Sequence, residues 1–172
     1  LEAKAAELPE DIEWHFIGHL QTNKVKKVVA AASMIHSVDS DRLLRAIDAE
    51  ARKAGRCPGV LLQLHVAREE TKFGFTPSEL LEFVTPQLVA SLEGVEFRGV
   101  MGMASNVDDE ERIRADFREI RRVFDRLKET VFASSPRFDT VSMGMSHDWP
   151  VAVQEGSTMV RVGTSIFGER EY

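Results

Sequence analysis

The sequence predicts an α/β protein built on a parallel sheet, and three observations predict it. Short apolar runs rich in β-branched residues alternate strictly with longer stretches of helical period. The helical stretches begin at Ser, Thr or Asp caps and end near glycine. Each strand-plus-helix unit is about the length of a βα repeat, which admits either an open doubly wound sheet or a barrel.

Taken in order, the first strand is WHFIGHL (14–20), followed by a helix over 22–32. MIHSVD (34–39) is the second strand, and Asp39-Ser40-Asp41 caps a helix over 40–54 that stops at Gly55. VLLQLHV (60–66) is the third. Thr76-Pro77-Ser78-Glu79 then places a cap before a first-turn proline and opens a helix over 77–91. FRGVMGM (97–103) is the fourth. It leads into the longest helix, 108–133, where Ile113, Phe117, Ile120, Val123, Phe124 and Leu127 share one face. TVSMGM (140–145), a helix over 147–156 and MVRVGTSIF (159–167) complete the chain. Six strands are predicted, whereas a closed (β/α)8 barrel has eight.

At 172 residues, with 43% hydrophobic and 29% charged residues, the chain is sized for one domain, 1–172. A net charge of −6 argues against a broad nucleic-acid or anionic-membrane surface. The single cysteine, Cys57, suits a reducing compartment, so a cytoplasmic location is expected. No apolar run approaches the roughly 18 residues that span a bilayer. LEAKAAELPEDIEW has no signal-peptide pattern; it reads as the end of a helix and has no initiating methionine, so the domain is expected to be N-terminally incomplete.

No G-x-G-x-x-G follows the first strand and no G-x-x-x-x-G-K-[ST] occurs, which removes the dinucleotide and P-loop readings. The informative positions are the strand ends, where α/β proteins bind ligands. In VRVGTSIFG, alternation sets Met159, Arg161 and Gly163 on one face, against Val160, Val162 and Thr164 on the other. Arg161 is then directed to a barrel interior, either as a cation facing a ligand or as a structural arginine paired with a core carboxylate. Gly163 and Thr164 offer amides and a hydroxyl to an anion. Ser146 ends the neighbouring strand, both as an N-cap for 147–156 and as part of an anion site. EETKFGF (69–75) reads first as a solvated charged loop. His15 and His19 lie on a strand without a completing ligand cluster, so they do not make a zinc pair. His147-Asp148 has no nucleophile at useful spacing, and Lys24, Lys26 and Lys27 read as a solvated helix start.

Five stretches together resemble a known family. WHFIGHLQTNK, EETKFG, RGVMGM, SMGMSHD and EGSTMVRVGTSIFGEREY are similar, in order, to the pyridoxal phosphate homeostasis proteins, PLP-binding relatives of the alanine racemase N-terminal barrel. The resemblance runs from about residue 12 to the last residue. It implies a (β/α)8 TIM-barrel-like fold with about six of eight units in this chain, and pyridoxal 5'-phosphate (PLP) as cofactor. It further implies that Arg161 faces the pyridine nitrogen and keeps it unprotonated, while Ser146, Gly163 and Thr164 cradle the phosphate. Met103 packs against the ring, Ser142 lies beneath it, and Lys72 sits in a loop linked to PLP exchange. The family's Schiff-base lysine lies on a first strand with no counterpart here, so this chain is expected not to form the internal Schiff base. The resemblance implies handling of PLP rather than a dedicated reaction, by a monomer whose protein partners are PLP-acceptor enzymes. The alternatives are a racemase-like enzyme and a non-covalent binder of phosphate metabolites.

Overall fold

A computed structural model describes residues 7, 9, 11–67 and 73–168. Within them, six strands form one sheet: β1 (His15–Phe16), β2 (Met34–Val38), β3 (Gly59–His65), β4 (Glu96–Met103), β5 (Thr140–Met145) and β6 (Met159–Arg161). All neighbours are parallel and follow chain order, β1-β2-β3-β4-β5-β6. This order decides between the two architectures left open by the sequence. Parallel crossovers are right-handed, so strands added always on the same side put every helix on the same face. A doubly wound sheet needs a reversal of strand order, and none occurs here. The sheet is therefore an arc of barrel wall.

The helices that cover the outer face are α1 (Val25–Ala31, entered through a 3-10 turn at Thr22–Lys24), α2 (Asp41–Lys53), α3 (Pro77–Phe83), α4 (Pro86–Ser91), α5 (Glu110–Thr130) and α6 (Trp149–Gln154); a short exposed turn, α7 (Thr164–Phe167), follows β6. The caps form as expected. Ser40 Oγ accepts from the Leu43 amide at 3.4 Å, and Thr76 and Glu79 make a reciprocal capping box. The predicted face of α5 is buried from Ile113 to Leu127 against Val100, Val141 and Met143 of the strands and the Phe132–Phe138 stack.

Three expectations are corrected. The helix predicted over 77–91 is two helices, because Pro86 has no amide to donate and forces Thr85 into extended backbone, where Thr85 caps α4. The first strand is two residues long rather than seven. The last strand ends at Arg161; Thr164–Phe167 is a helical turn opened by Gly163, not a continuation of the strand.

Three register shifts help to set which side chains face inward, and one of them lies on β2, where Ile35 pairs with Val60 but Val38 pairs with Leu62. On β4, Val60 pairs with Phe97 but Leu61 pairs with Gly99, so Arg98 is an extra residue. Phe97 and Val100 consequently both pack outward under the helices, and Met101 turns inward with Met34, Leu61 and Met159. On β5 a further shift falls between Ser142 and Met145. Gly144 there has φ +95°, and an added Cβ would lie 2.6 Å from Ala152 Cβ, so glycine lets α6 sit directly on the strand.

Candidate functional site

The curvature of the arc brings distant strands together across its inner face. His36 on β2 reaches Ser142 on β5, with Nδ1 and Oγ 3.0 Å apart, although two strands lie between them in the sheet. His36 Nε2 lies 3.1 Å from His15 Nδ1 on β1. Arg161 completes the group from β6. Its Nη1 donates to the Ser142 carbonyl and to Ser142 Oγ, both at 2.8 Å, and its Nη2 donates to the Gly102 carbonyl at 3.0 Å. Arg161 thus points inward, as alternation predicted.

The structural reading of Arg161 required a carboxylate, and among the described residues the side chain makes no ion pair. Its hydrogen-bond partners are neutral. Burial lowers its pKa to about 10, partly opposed by the charge of Asp148, and it stays protonated at neutral pH. A half-buried cation satisfied by carbonyl and hydroxyl oxygens, without an ion-pair partner, leaves net positive charge facing the interior.

That charge borders a cavity of about 830 Å³ at the C-terminal ends of the strands. His15, His36 and Arg161 line its depth, and Met145, Ser146, Gly163, Thr164 and Phe167 its mouth. Ser146 does not cap the following helix, as the sequence suggested. Asp148 holds that corner instead, its Oδ1 accepting from the Met145 amide at 2.6 Å, and the helix starts at Trp149 with Pro150 in its first turn. Ser146 Oγ is released toward β6, where it accepts from the amides of Gly163 at 3.3 Å and Ser165 at 3.5 Å. These are long bonds between groups that converge on one point from two strand ends.

Of the sequence-predicted residues, Arg161, Ser146, Gly163 and Thr164 line this cavity. Ser142 does not; it is fully buried beneath Arg161, which it holds. Met103 is half-buried at the end of β4, paired with His65, and outside the cavity lining. Lys72 lies outside the described residues. No described lysine lines the cavity. Sequence reasoning passed over His36 and Ser165, and set His15 aside as an unmade metal ligand. The inward partners of Phe16 and Ile35 were nevertheless readable, since both neighbours pack outward and alternation puts the histidines inside. Among the described residues, no cluster of three or more metal-ligating side chains occurs, and no helix is long and apolar enough to cross a membrane.

Burial, reinforced by His15 and Arg161, depresses the pKa of His36 to about 3; burial also lowers that of His15. The unfolded chain therefore takes up a proton on His36 as pH falls through the ordinary histidine value, while the folded chain does not. Stability is complete above about pH 6.5 and is lost as pH drops toward 3. Between pH 7 and 5, the unfolding free energy is expected to fall by about 2 kcal/mol through His36, before the carboxylates titrate. Urea denaturation at the two pH values measures this, and His36→Gln should remove most of the difference.

The family model for the alanine racemase N-terminal domain matches residues 3–171. The pyridoxal phosphate homeostasis protein of Aquifex aeolicus is 41% identical over 162 residues, covering 94% of this chain and 69% of that protein. Its namesake from Vibrio alginolyticus is 37% identical over 94% of this chain and 66% of its own length. The chain thus spans about two thirds of these relatives. Among solved structures, PipY of Synechococcus elongatus without PLP superposes with a TM-score of 0.86 at 37% identity, covering 97% of this chain and 75% of that one. The PLP-bound form gives 0.81 at 38%, with the same coverage. Alanine racemase of Clostridium difficile, at 15% identity and a TM-score of 0.69 over 99% of this chain and 44% of its own, shares the fold.

Proposed function

This chain belongs to the pyridoxal phosphate homeostasis proteins of the alanine racemase N-terminal domain family, and we propose that it binds pyridoxal 5'-phosphate and serves the homeostasis of that cofactor without a dedicated catalytic reaction. A cytoplasmic setting, a monomeric state and transfer to PLP-acceptor enzymes belong to the same reading. The observation that carries it is the meeting, in one cavity, of a guanidinium fixed by neutral partners with a hydroxyl and two amides converging from neighbouring strand ends.

The donor set fits the cofactor. Arg161 only donates hydrogen bonds, so it would hold the ring nitrogen as an acceptor, and its charge disfavours a second proton there. Ser146 and the amides of Gly163 and Ser165, with Thr164 beside them, would hold the phosphate. Ser142 serves by fixing Arg161, and Met103, paired with His65 at the end of β4, stands outside the cavity lining. When bound, PLP supplies an aldehyde and an electron-withdrawing ring; an arginine at the nitrogen makes that ring a weaker electron sink than a carboxylate does. Burial lowers the pKa of both cavity histidines, which makes them weak bases, and the ring nitrogens of His36 are spent on hydrogen bonds to Ser142 and His15; both points argue against a racemase with two working bases.

Calorimetric titration with PLP, pyridoxal and inorganic phosphate tests the proposal. PLP should bind more tightly than either fragment, and Ser146→Ala should weaken it about three- to tenfold, the worth of one ordinary hydrogen bond. Equal affinity for PLP and inorganic phosphate would replace this reading with a general phosphate-metabolite binder. Racemisation of an amino acid by the PLP-loaded chain would overturn its non-catalytic part.

A further inference from the structure

The inner face carries a continuous chain of polar groups, Arg161–Ser142–His36–His15, with its two middle members buried and its ends half-buried, which ties β6, β5, β2 and β1 together. We propose that this chain is a one-way hydrogen-bond relay: Arg161 sets its direction, both histidines are held in the Nε2–H tautomer, and His36 is a positioning residue that presents His15 to the cavity as a hydrogen-bond donor.

The direction follows from donor counting. A guanidinium has no acceptor atom, so Arg161 Nη1 donates to Ser142 Oγ at 2.8 Å. The Ser142 hydroxyl has one proton, and the remaining partner of Oγ is His36 Nδ1 at 3.0 Å. Donating there leaves His36 Nδ1 bare and places the neutral ring's proton on Nε2. That N–H donates to His15 Nδ1 at 3.1 Å, which in turn leaves the His15 proton on its own Nε2. His15 lines the cavity, so the relay ends in an N–H donor at the ligand's wall.

The opposite direction fails at Ser142. It would make Oγ accept from Arg161 and from His36 together, and the hydroxyl proton would be left without an acceptor at a fully buried position. A doubly protonated His36 fails in the same way, because Nδ1–H would then face Ser142. The charged and titratable groups around the relay act in the same sense. His36 faces His15 and Arg161, both of which oppose a second proton. His15 faces Glu13, which favours its charge, and Arg98, which opposes it; burial outweighs both. Asp148 bears on Arg161 and keeps it cationic, which preserves the starting donor.

The relay rests on this chain's own atoms and holds whether or not the cavity takes PLP. The test is long-range 1H–15N NMR on the ligand-free, full chain with labelled histidines at pH 7. Both His36 and His15 should show the Nε2–H pattern with a roughly tenfold or greater excess over Nδ1–H. Ser142→Ala should erase that preference at His36. His15→Phe should leave the His36 tautomer unchanged, since direction is imposed from the Arg161 end. A predominant Nδ1–H form of His36 in the unsubstituted chain would overturn the relay, as would a preference that survives Ser142→Ala. If Ser142→Ala does not fold, the tautomers of the unsubstituted chain and of His15→Phe decide the matter alone.

Discussion

Gly99→Ala is expected to lower the unfolding free energy by about 4 kcal/mol or more. Gly99 sits just after the β4 bulge with φ +150°, and its pairing partner on β5 is Thr140. An added Cβ would lie 1.8 Å from the Thr140 carbonyl oxygen and 2.7 Å from its carbonyl carbon. Both atoms belong to backbone, so no side-chain rotation relieves the overlap. The chain must pull β4 from β5 or abandon the bulge, and either route combines backbone strain with overpacking. Loss of the bulge would also turn Met101 from the inner face to the helix face. Chemical denaturation measures the effect, and Gly18→Ala, with nothing within 4 Å of its added Cβ, is the matched control expected to cost little. A cost near 1 kcal/mol for Gly99→Ala would mean that the bulge can relax, and that it does not lock the register of the inner face.

Arg161→Met is expected to lower PLP affinity roughly 10- to 100-fold and stability by about 2 kcal/mol. The affinity figure is the worth of one charge-assisted hydrogen bond in a desolvated site. The stability figure is a difference between opposing effects. Removing a half-buried cation relieves its partial desolvation, but the Gly102 and Ser142 carbonyls lose their donors, and an orphaned buried carbonyl costs about 1–3 kcal/mol. Two lost donors outweigh one relieved charge. Arg161→Lys separates charge from shape. It keeps the cation but not the fork that reaches Ser142 and Gly102 together, so its affinity should fall between the two. The His36 pKa should rise in Arg161→Met, because the charge of Arg161 is one of the causes that depress it. Unchanged PLP affinity in Arg161→Met would remove the guanidinium from the binding site and with it the central support for the proposed function.

The fold was legible wherever a single element's own pattern sets its structure. Strand and helix alternation, the Ser40 and Thr76 caps and the buried stripe of the long helix all depend on residues near one another in the chain, and all appear at their predicted places. Where the reading went astray, a competing residue nearby in the chain decided the outcome. Ser146 has the chemistry of an N-cap, but Asp148 takes that corner and frees the hydroxyl to cross to β6. SIF continues the apolar run of the last strand, yet Gly163 turns it into a helical segment at the cavity mouth.

The inward direction of Arg161 and the small residues that follow it were set by the sequence alone, because alternation along a strand and the lack of side-chain bulk at Gly163 are local properties. The choice of barrel over open sheet lay in strand order, and strand order is a relation between segments that no single segment encodes. The partners of Arg161 were likewise decided in three dimensions. Curvature of the arc carries β2 against β5, so the carboxylate that sequence reasoning sought for a buried arginine is replaced by the hydroxyl and carbonyl of Ser142 and the carbonyl of Gly102. Backbone carbonyls have no signature in an amino-acid sequence, since every residue carries one, and only folding decides which of them a charge will meet.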